Sequence, residues 1–98
     1  MNLKQLEHLL ALADSGSFSR AAEQMHLTQS ALSRSIRALE AELGQRLSDR
    51  IGRRSELTPF GREVVERARQ IVGAADDLRD SGAQMALGNV GTLRIALG

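Results

Sequence analysis

Two amphipathic segments separated by only two residues constrain the fold of this chain more than any other feature of its sequence. Ser17 is a good N-cap for a short helix and Thr28 caps the next helix, so the two residues 26–27 can form only a tight turn. Ala21 and Ala22 lie in the first of these helices, and small side chains allow helices to cross closely. The spacing therefore predicts a helix-turn-helix.

The other elements follow from periodicity and from helix start and stop signals. The sequence predicts a first helix over 3–15, a third helix over 28–43, a basic β-hairpin over 47–57, a long helix over 59–88 and a strand over 92–97. The fold class is therefore mainly α: a winged helix-turn-helix of three helices and a short hairpin wing, followed by a long coiled-coil dimerisation helix. Such an order is not typical of an enzyme.

Composition excludes several classes of protein. The chain has 98 residues, 42% of them hydrophobic, which suits one small domain with a packed core. It has no cysteine, so disulfides and thiolate metal sites are excluded, and no apolar run approaches the length of a membrane span. The charged N-terminal helix is not a signal peptide. We therefore expect a cytoplasmic chain with no membrane partner.

One face of the third helix has groups suited to DNA. At about 100° per residue, its leucines and Ile36 form a buried stripe, and a neighbouring arc carries only hydrogen-bonding side chains. This arc consists of Gln29, Ser30, Ser33, Arg34 and Arg37. Arginine can bridge O6 and N7 of guanine, glutamine can pair with adenine, and serine allows close approach. The arc predicts major-groove contacts, and the alternative is an ordinary solvated helix face.

The long helix carries a heptad pattern. Apolar or small residues step alternately by four and three at Val64, Ala68, Ile71, Ala75, Leu78, Gly82 and Met85. This spacing is typical of a helix that pairs with another helix. The alternative is packing on the chain's own core, but a helix of 30 residues is about 45 Å long and would extend beyond so small a core. Pairing with a second copy is favoured.

The histidines, serines and glycines do not occur in the patterns of catalytic or metal-binding sites. His8 and His26 lack the spacing of a metal site, the serines lack a nucleophile elbow, and the glycines form no phosphate loop. We therefore predict no enzymatic activity, no catalytic residues, no metal and no cofactor in this chain.

Residues 17–61, SFSRAAEQMHLTQSALSRSIRALEAELGQRLSDRIGRRSELTPFG, resemble the N-terminal module of LysR-type transcriptional regulators. The alanine pair, the LTQSALS helix start, the IxxLExxLG helix end and the RxxxLTxxG wing exit occur in the family's order, and the resemblance extends from Leu3 to about Gly98. It implies a dimer, often a tetramer, that binds interrupted palindromes near promoters. One departure is Ser48, where the family usually has an aromatic residue, most often Phe.

The resemblance also implies the roles of individual parts. Residues 1–58 would be the DNA-binding domain, 59–88 the linker and dimerisation helix, and 89–98 a hinge and the first strand of a further domain that binds a small-molecule effector. Arg53 matches a wing residue that enters the minor groove, and Arg50 and Arg54 join it as predicted wing contacts to the minor groove or phosphates. Predicted phosphate contacts are Ser17, Arg20, Thr28 and Thr58.

The sequence therefore predicts a homodimeric transcriptional regulator that binds double-stranded DNA. Helix 28–43 would lie in the major groove and wing 47–57 in the minor groove. The alternative is a winged-helix module that serves only protein–protein contact, and the basic hairpin and the acid-free face of the third helix argue against it.

Overall fold

The structure, a computed structural model, describes residues 1–88. The elements in chain order are α1 (Leu3–Ser15), α2 (Phe18–Gln24), α3 (Gln29–Leu43), β1 (Ser48–Ile51), β2 (Arg54–Leu57) and α4 (Pro59–Gly88). This confirms the predicted order of elements and the predicted fold class. The predicted strand 92–97 lies outside the described residues. None of the helices in the described part is long and apolar enough to cross a membrane.

Helix boundaries fall where the capping residues predict them. Ser17 Oγ accepts a hydrogen bond from the backbone N–H of Arg20 at 3.3 Å, and Thr28 Oγ1 accepts one from Ala31 at 3.1 Å. Helix α3 ends at Gly44, whose φ of 76° is a left-handed conformation that glycine adopts without strain. Local hydrogen-bonding chemistry therefore defines both ends of this helix.

The turn between α2 and α3 has the geometry of a Schellman motif. The N–H of Leu27 donates to Ala22 O at 2.8 Å, and the N–H of His26 donates to Glu23 O at 3.2 Å. His26 has a φ of 56°, in the left-handed region where glycine is more usual. These bonds close the turn within two residues, and this fixes the angle at which α3 leaves α2.

One core joins the three N-terminal helices to the wing and to α4. Its largest fully buried side chains are Leu9, Leu12, Leu32, Leu39 and Leu47. Ala21 and Ala22 are 0% and 3% exposed where α2 packs between α1 and α3, as expected of a close helix crossing. Val65 and Ala68 contribute the first part of α4 to the same core. The core thereby holds α3 with its polar face outward.

Candidate nucleic-acid interface

The polar arc of α3 lies on the surface as one continuous face. Leu32, Ile36 and Leu39 are at most 2% exposed and anchor the helix to the core. The structure brings the five predicted major-groove residues together on the opposite side: Gln29, Ser30, Arg34 and Arg37 are exposed and Ser33 is half-buried. They line an open cleft of about 410 Å³, which we call the recognition cleft. A helix of about 10–12 Å diameter with such a face fits a major groove about 12 Å wide.

The wing is a two-stranded antiparallel hairpin with a tight tip. Ser48 pairs with Leu57 and Ile51 with Arg54, which leaves Gly52 and Arg53 as the turn. Gly52 has a φ of 62°, so the turn needs the conformational freedom of glycine. Arg53 and Arg54 are exposed at and beside this tip. The structure thus places two predicted wing arginines where they can reach beyond the body of the protein.

Two hydrogen bonds attach the wing to the helical body, and two more close its base. The N–H of Leu47 donates to Glu40 Oε2 of α3 at 2.8 Å, and the N–H of Ser55 donates to Gly16 O at 2.9 Å. At the exit of the wing, Thr58 donates its N–H to Leu47 O at 3.0 Å and its hydroxyl to Arg46 O at 2.7 Å. Sequence analysis missed the role of Glu40, although this residue belongs to the IxxLExxLG pattern. Its carboxylate fixes the wing relative to α3.

A basic cleft separates the wing from the start of α2. It has a volume of about 670 Å³, and among the described residues its lining includes the four arginines Arg20, Arg50, Arg53 and Arg54 and no carboxylate. Ser17 lines the same space. We call this space the wing cleft. Several positive charges and no negative ones make it electrostatically suited to phosphate groups.

Arg50 lies at the junction between the wing and α3, and it also lines the wing cleft with Arg53 and Arg54. Its Cζ is 4.8 Å from the centroid of the Phe18 ring, a cation–π distance, and its Nη2 lies 3.4 Å from Gln29 Oε1. Arg50 therefore shares the wing cleft with the tip arginines and in addition contacts Phe18 and Gln29. Sequence proximity does not indicate these additional contacts, because they depend on the face of the hairpin that Arg50 occupies.

The predicted phosphate contacts at helix starts fall into two groups. The hydroxyls of Ser17 and Thr28 each accept one backbone hydrogen bond, and both keep a proton that can be donated outward. Thr58 differs, because its hydroxyl donates to Arg46 O and accepts from the N–H of Gly61 at 2.9 Å. Its single proton is used inside the chain, so the structure gives Thr58 a structural role at the wing exit.

The predicted dimer seam divides into two parts along α4. Ala68 is 1% exposed and packs in the chain's own core, with half-buried Val64 beside it. The assignment of Ala68 to an interface with a second copy was therefore wrong, because the first turns of α4 cover α1. Val64 keeps part of its side chain exposed, so its place in the seam stays a prediction. Farther along the helix, Ile71 is 46% and Leu78 is 74% exposed. Ala75 and Met85 are half-buried.

His8 has a structural position between two helices. Its Nδ1 lies 2.7 Å from Ser35 Oγ, which links α1 to α3. Burial lowers the pKa of His8 below its ordinary value, with a smaller contribution in the same direction from Lys4 and an opposing one from Glu7. Within residues 1–88, no cluster of three or more histidine or acidic residues could hold a metal ion.

Known proteins with the same pattern are DNA-binding regulators. A family model described as "Bacterial regulatory helix-turn-helix protein, lysR family" matches residues 3–62. A relative from Pseudomonas sp. (strain ATCC 19151), the SDS degradation transcriptional activation protein, is 47% identical over 97 residues, which is 99% of this chain and 32% of that protein. The chain spans 32% to 55% of the length of the first curated relatives it matches.

Two similar solved structures contain DNA. The crystal structure of the CbnR_DBD–DNA complex has a TM-score of 0.81 and 36% identity, and the match covers 88% of this chain and 99% of that one. The BenM_DBD complex with catB site 1 DNA has a TM-score of 0.85 and 31% identity, with 91% and 99% covered. Residues 3–62, which the family model matches, include the helices and the wing that form the two clefts.

Proposed function

Because this chain belongs to the LysR family of bacterial regulatory helix-turn-helix proteins, we propose that it binds double-stranded DNA in a sequence-specific way and regulates transcription. One observation carries the proposal. The recognition cleft and the wing cleft share Gln29 and Arg50, so a base-reading helix face continues directly into a basic, phosphate-binding surface. A module that served only protein contact would have no need of this continuity.

In this proposal α3 enters the major groove and the wing contacts the adjacent minor groove. Arg34 is exposed on the recognition face, where a bidentate contact to guanine distinguishes all four base pairs. Arg53 at the wing tip would enter the minor groove, which reports mainly A·T against G·C. Ser17, Thr28 and Arg20 would hold phosphates and so fix the register of the helix. No catalytic role forms part of this function.

Two copies would bind together, through the part of α4 that extends beyond the core. Ile71 and Leu78 are exposed apolar side chains on one side of this helix, and a second copy of the same helix would cover them. The two α3 helices could then read the halves of an interrupted palindrome, with centres about 34–36 Å or a multiple apart. We propose residues 1–58 as the DNA-contacting part and 59–88 as the linker and dimerisation helix, although Val65 and Ala68 also complete the core.

A small-molecule effector, as the family resemblance implies, would act through a further domain of the kind that begins with the predicted strand 92–97. Such regulation of DNA binding would take place in the cytoplasm, where the DNA lies. In this proposal the recognition cleft and the wing cleft bind DNA, and the effector would bind in the further domain.

The test compares Arg34→Ala with Arg53→Ala in a binding-site selection at one fixed salt concentration. Arg34→Ala should cost about 1–3 kcal/mol on the best site and remove the preference at one position of each half-site. Arg53→Ala should weaken binding most on A·T-rich flanks and leave the half-site preference intact. Arg67→Ala on the surface of α4 is the control and should change neither. A uniform loss across all sequences for both variants would contradict the assignment of α3 as the reading helix.

A further inference from the structure

Arg50 was predicted only as a wing contact to the minor groove or phosphates, but its side chain reaches further across the interface. It lines the recognition cleft, the wing cleft and a smaller cavity of about 130 Å³ beside Ser48. Ser48 and Arg50 are two residues apart in β1, so their side chains lie on the same face of the hairpin, the one turned toward α3. Arg50 therefore extends from the wing to the base-reading helix.

The contact between Arg50 and Gln29 decides how the side-chain amide of Gln29 is oriented. A guanidinium has only donors, so the atom of Gln29 that faces it must be the acceptor oxygen, which lies 3.4 Å from Nη2. The ring of Phe18, 4.8 Å from the guanidinium carbon, fixes the arginine from the other side. The amide nitrogen of Gln29, a donor, is left for a partner in the recognition cleft.

We propose that Arg50 is a positioning residue that sets the base preference of Gln29. The inference rests on the proposed function, DNA binding by the face of α3. Glutamine favours adenine when its oxygen accepts from N6 while its nitrogen donates to N7. The oxygen has two lone pairs, so it accepts from Arg50 and can still accept from adenine N6. With the amide fixed in this orientation, Gln29 selects adenine over guanine.

The contact itself is testable without DNA. In the ¹⁵N-labelled chain, the side-chain amide protons of Gln29, assigned by their loss in Gln29→Ala, should shift in Arg50→Met. They should keep their positions in Arg53→Met, which removes a neighbouring wing charge. Unchanged Gln29 signals in Arg50→Met would overturn the proposal. Melting curves by circular dichroism confirm that both variants are folded.

Base preference is then measured by binding-site selection with the same variants. Arg50→Met should lower the ratio of adenine to guanine at one position of each half-site by about fivefold or more, because Gln29 loses the orientation that a bidentate contact to adenine needs. Arg50→Lys keeps the charge but not the planar group that stacks on Phe18 and orients the donors, so it should cause the same change. Gln29→Ala should remove the same preference, and adding Arg50→Met to it should cause no further change. Arg53→Met should leave the preference intact.

The outcomes separate this inference from the function on which it rests. Uniform loss of affinity in Arg50→Met, with the preference at every position unchanged, would overturn the inference and make Arg50 a plain phosphate contact. A parent chain that selects no sequence would overturn the proposed function and the base preference together. In that case the amide signals would still report whether Arg50 holds Gln29.

Discussion

The first turns of α4 and its far half have the same heptad spacing, yet they lie in opposite environments. Of the residues with this spacing, Ala68 is 1% exposed in the core, whereas Leu78 is 74% exposed. The helix has 30 residues, and at about 1.5 Å per residue it is longer than the body it packs on. An apolar periodicity therefore shows which face of a helix is to be covered, while the length of the helix and the size of the core decide what covers it.

This difference leads to separate expectations for the two regions. Substitutions of core residues in the body, residues 1–70, should change the free energy of unfolding and leave the oligomeric state alone. Substitutions of the seam residues from Ile71 to Met85 should change the oligomeric state with little effect on the fold of one copy. The predictions below test this separation.

The largest effect is expected for Gly61→Ala. A Cβ at this position would lie 2.9 Å from the carbonyl carbon of Leu47 and in still closer contact with its oxygen, which accepts the N–H of Thr58. Because the obstacle is backbone, α4 must move away from the wing, at a cost of about 3 kcal/mol. Chemical denaturation measures this loss.

Gly73→Ala is the matched control for this prediction. Apart from the adjoining backbone of the helix itself, no atom lies within 4 Å of a Cβ at Gly73, so alanine should stabilise the helix by about 0.4–1 kcal/mol. Equal stability of the Gly61→Ala variant and the parent would show that α4 does not approach the wing as described.

A smaller gain is expected for Ser48→Phe. Ser48 is 6% exposed and borders the cavity of about 130 Å³ that Phe18 and Ile36 also line. An aromatic ring in this space would bury apolar surface and stabilise the chain by about 1 kcal/mol. The melting temperature should rise by about 4–8 °C, with the preferred DNA sequence unchanged and with Ser48→Ala as the control. A lower melting temperature would mean that the cavity does not admit the ring.

The smallest effect concerns pH and His8. The pKa of His8 in the folded chain lies below the ordinary value of 6.5 because burial disfavours the charged ring. The unfolded chain therefore binds the proton first, and stability present above pH 6.5 is lost as the pH falls through the folded pKa. Melting temperatures between pH 8 and 5 should fall less steeply for His8→Gln than for the parent. Identical slopes would remove His8 as a cause.

Local signals predicted much of this structure, and contacts between distant residues account for the rest. Ser17, Thr28 and Gly44 define helix ends through bonds to their immediate neighbours, so spacing alone located them. The contact of Gly61 with Leu47 depends on how α4 passes the wing base, and no periodicity encodes it.

The same limit applies to the candidate site. The five residues on the arc of α3 were predictable because a single helix fixes their spacing, whereas the contact of Arg50 with Gln29 joins residues 21 positions apart in sequence. Ala68 was assigned to the seam because the heptad pattern does not distinguish a core from a partner.

The central claim is that the far half of α4 joins two copies whose recognition helices act together on DNA. The most direct measurement is the affinity of the parent and of Leu78→Glu for a half-site duplex and for a dyad duplex, with sedimentation of each protein. Gln84→Glu, which adds the same charge at an exposed position off the seam, is the control.

The parent and Gln84→Glu should sediment as dimers and bind the dyad at least about 100-fold more tightly than the half-site. Leu78→Glu should sediment as a monomer, bind the half-site as the parent does and lose the gain on the dyad, because each copy would bury an unpaired charge in the seam. A Leu78→Glu variant that remains dimeric and keeps the full gain on the dyad would contradict the claim.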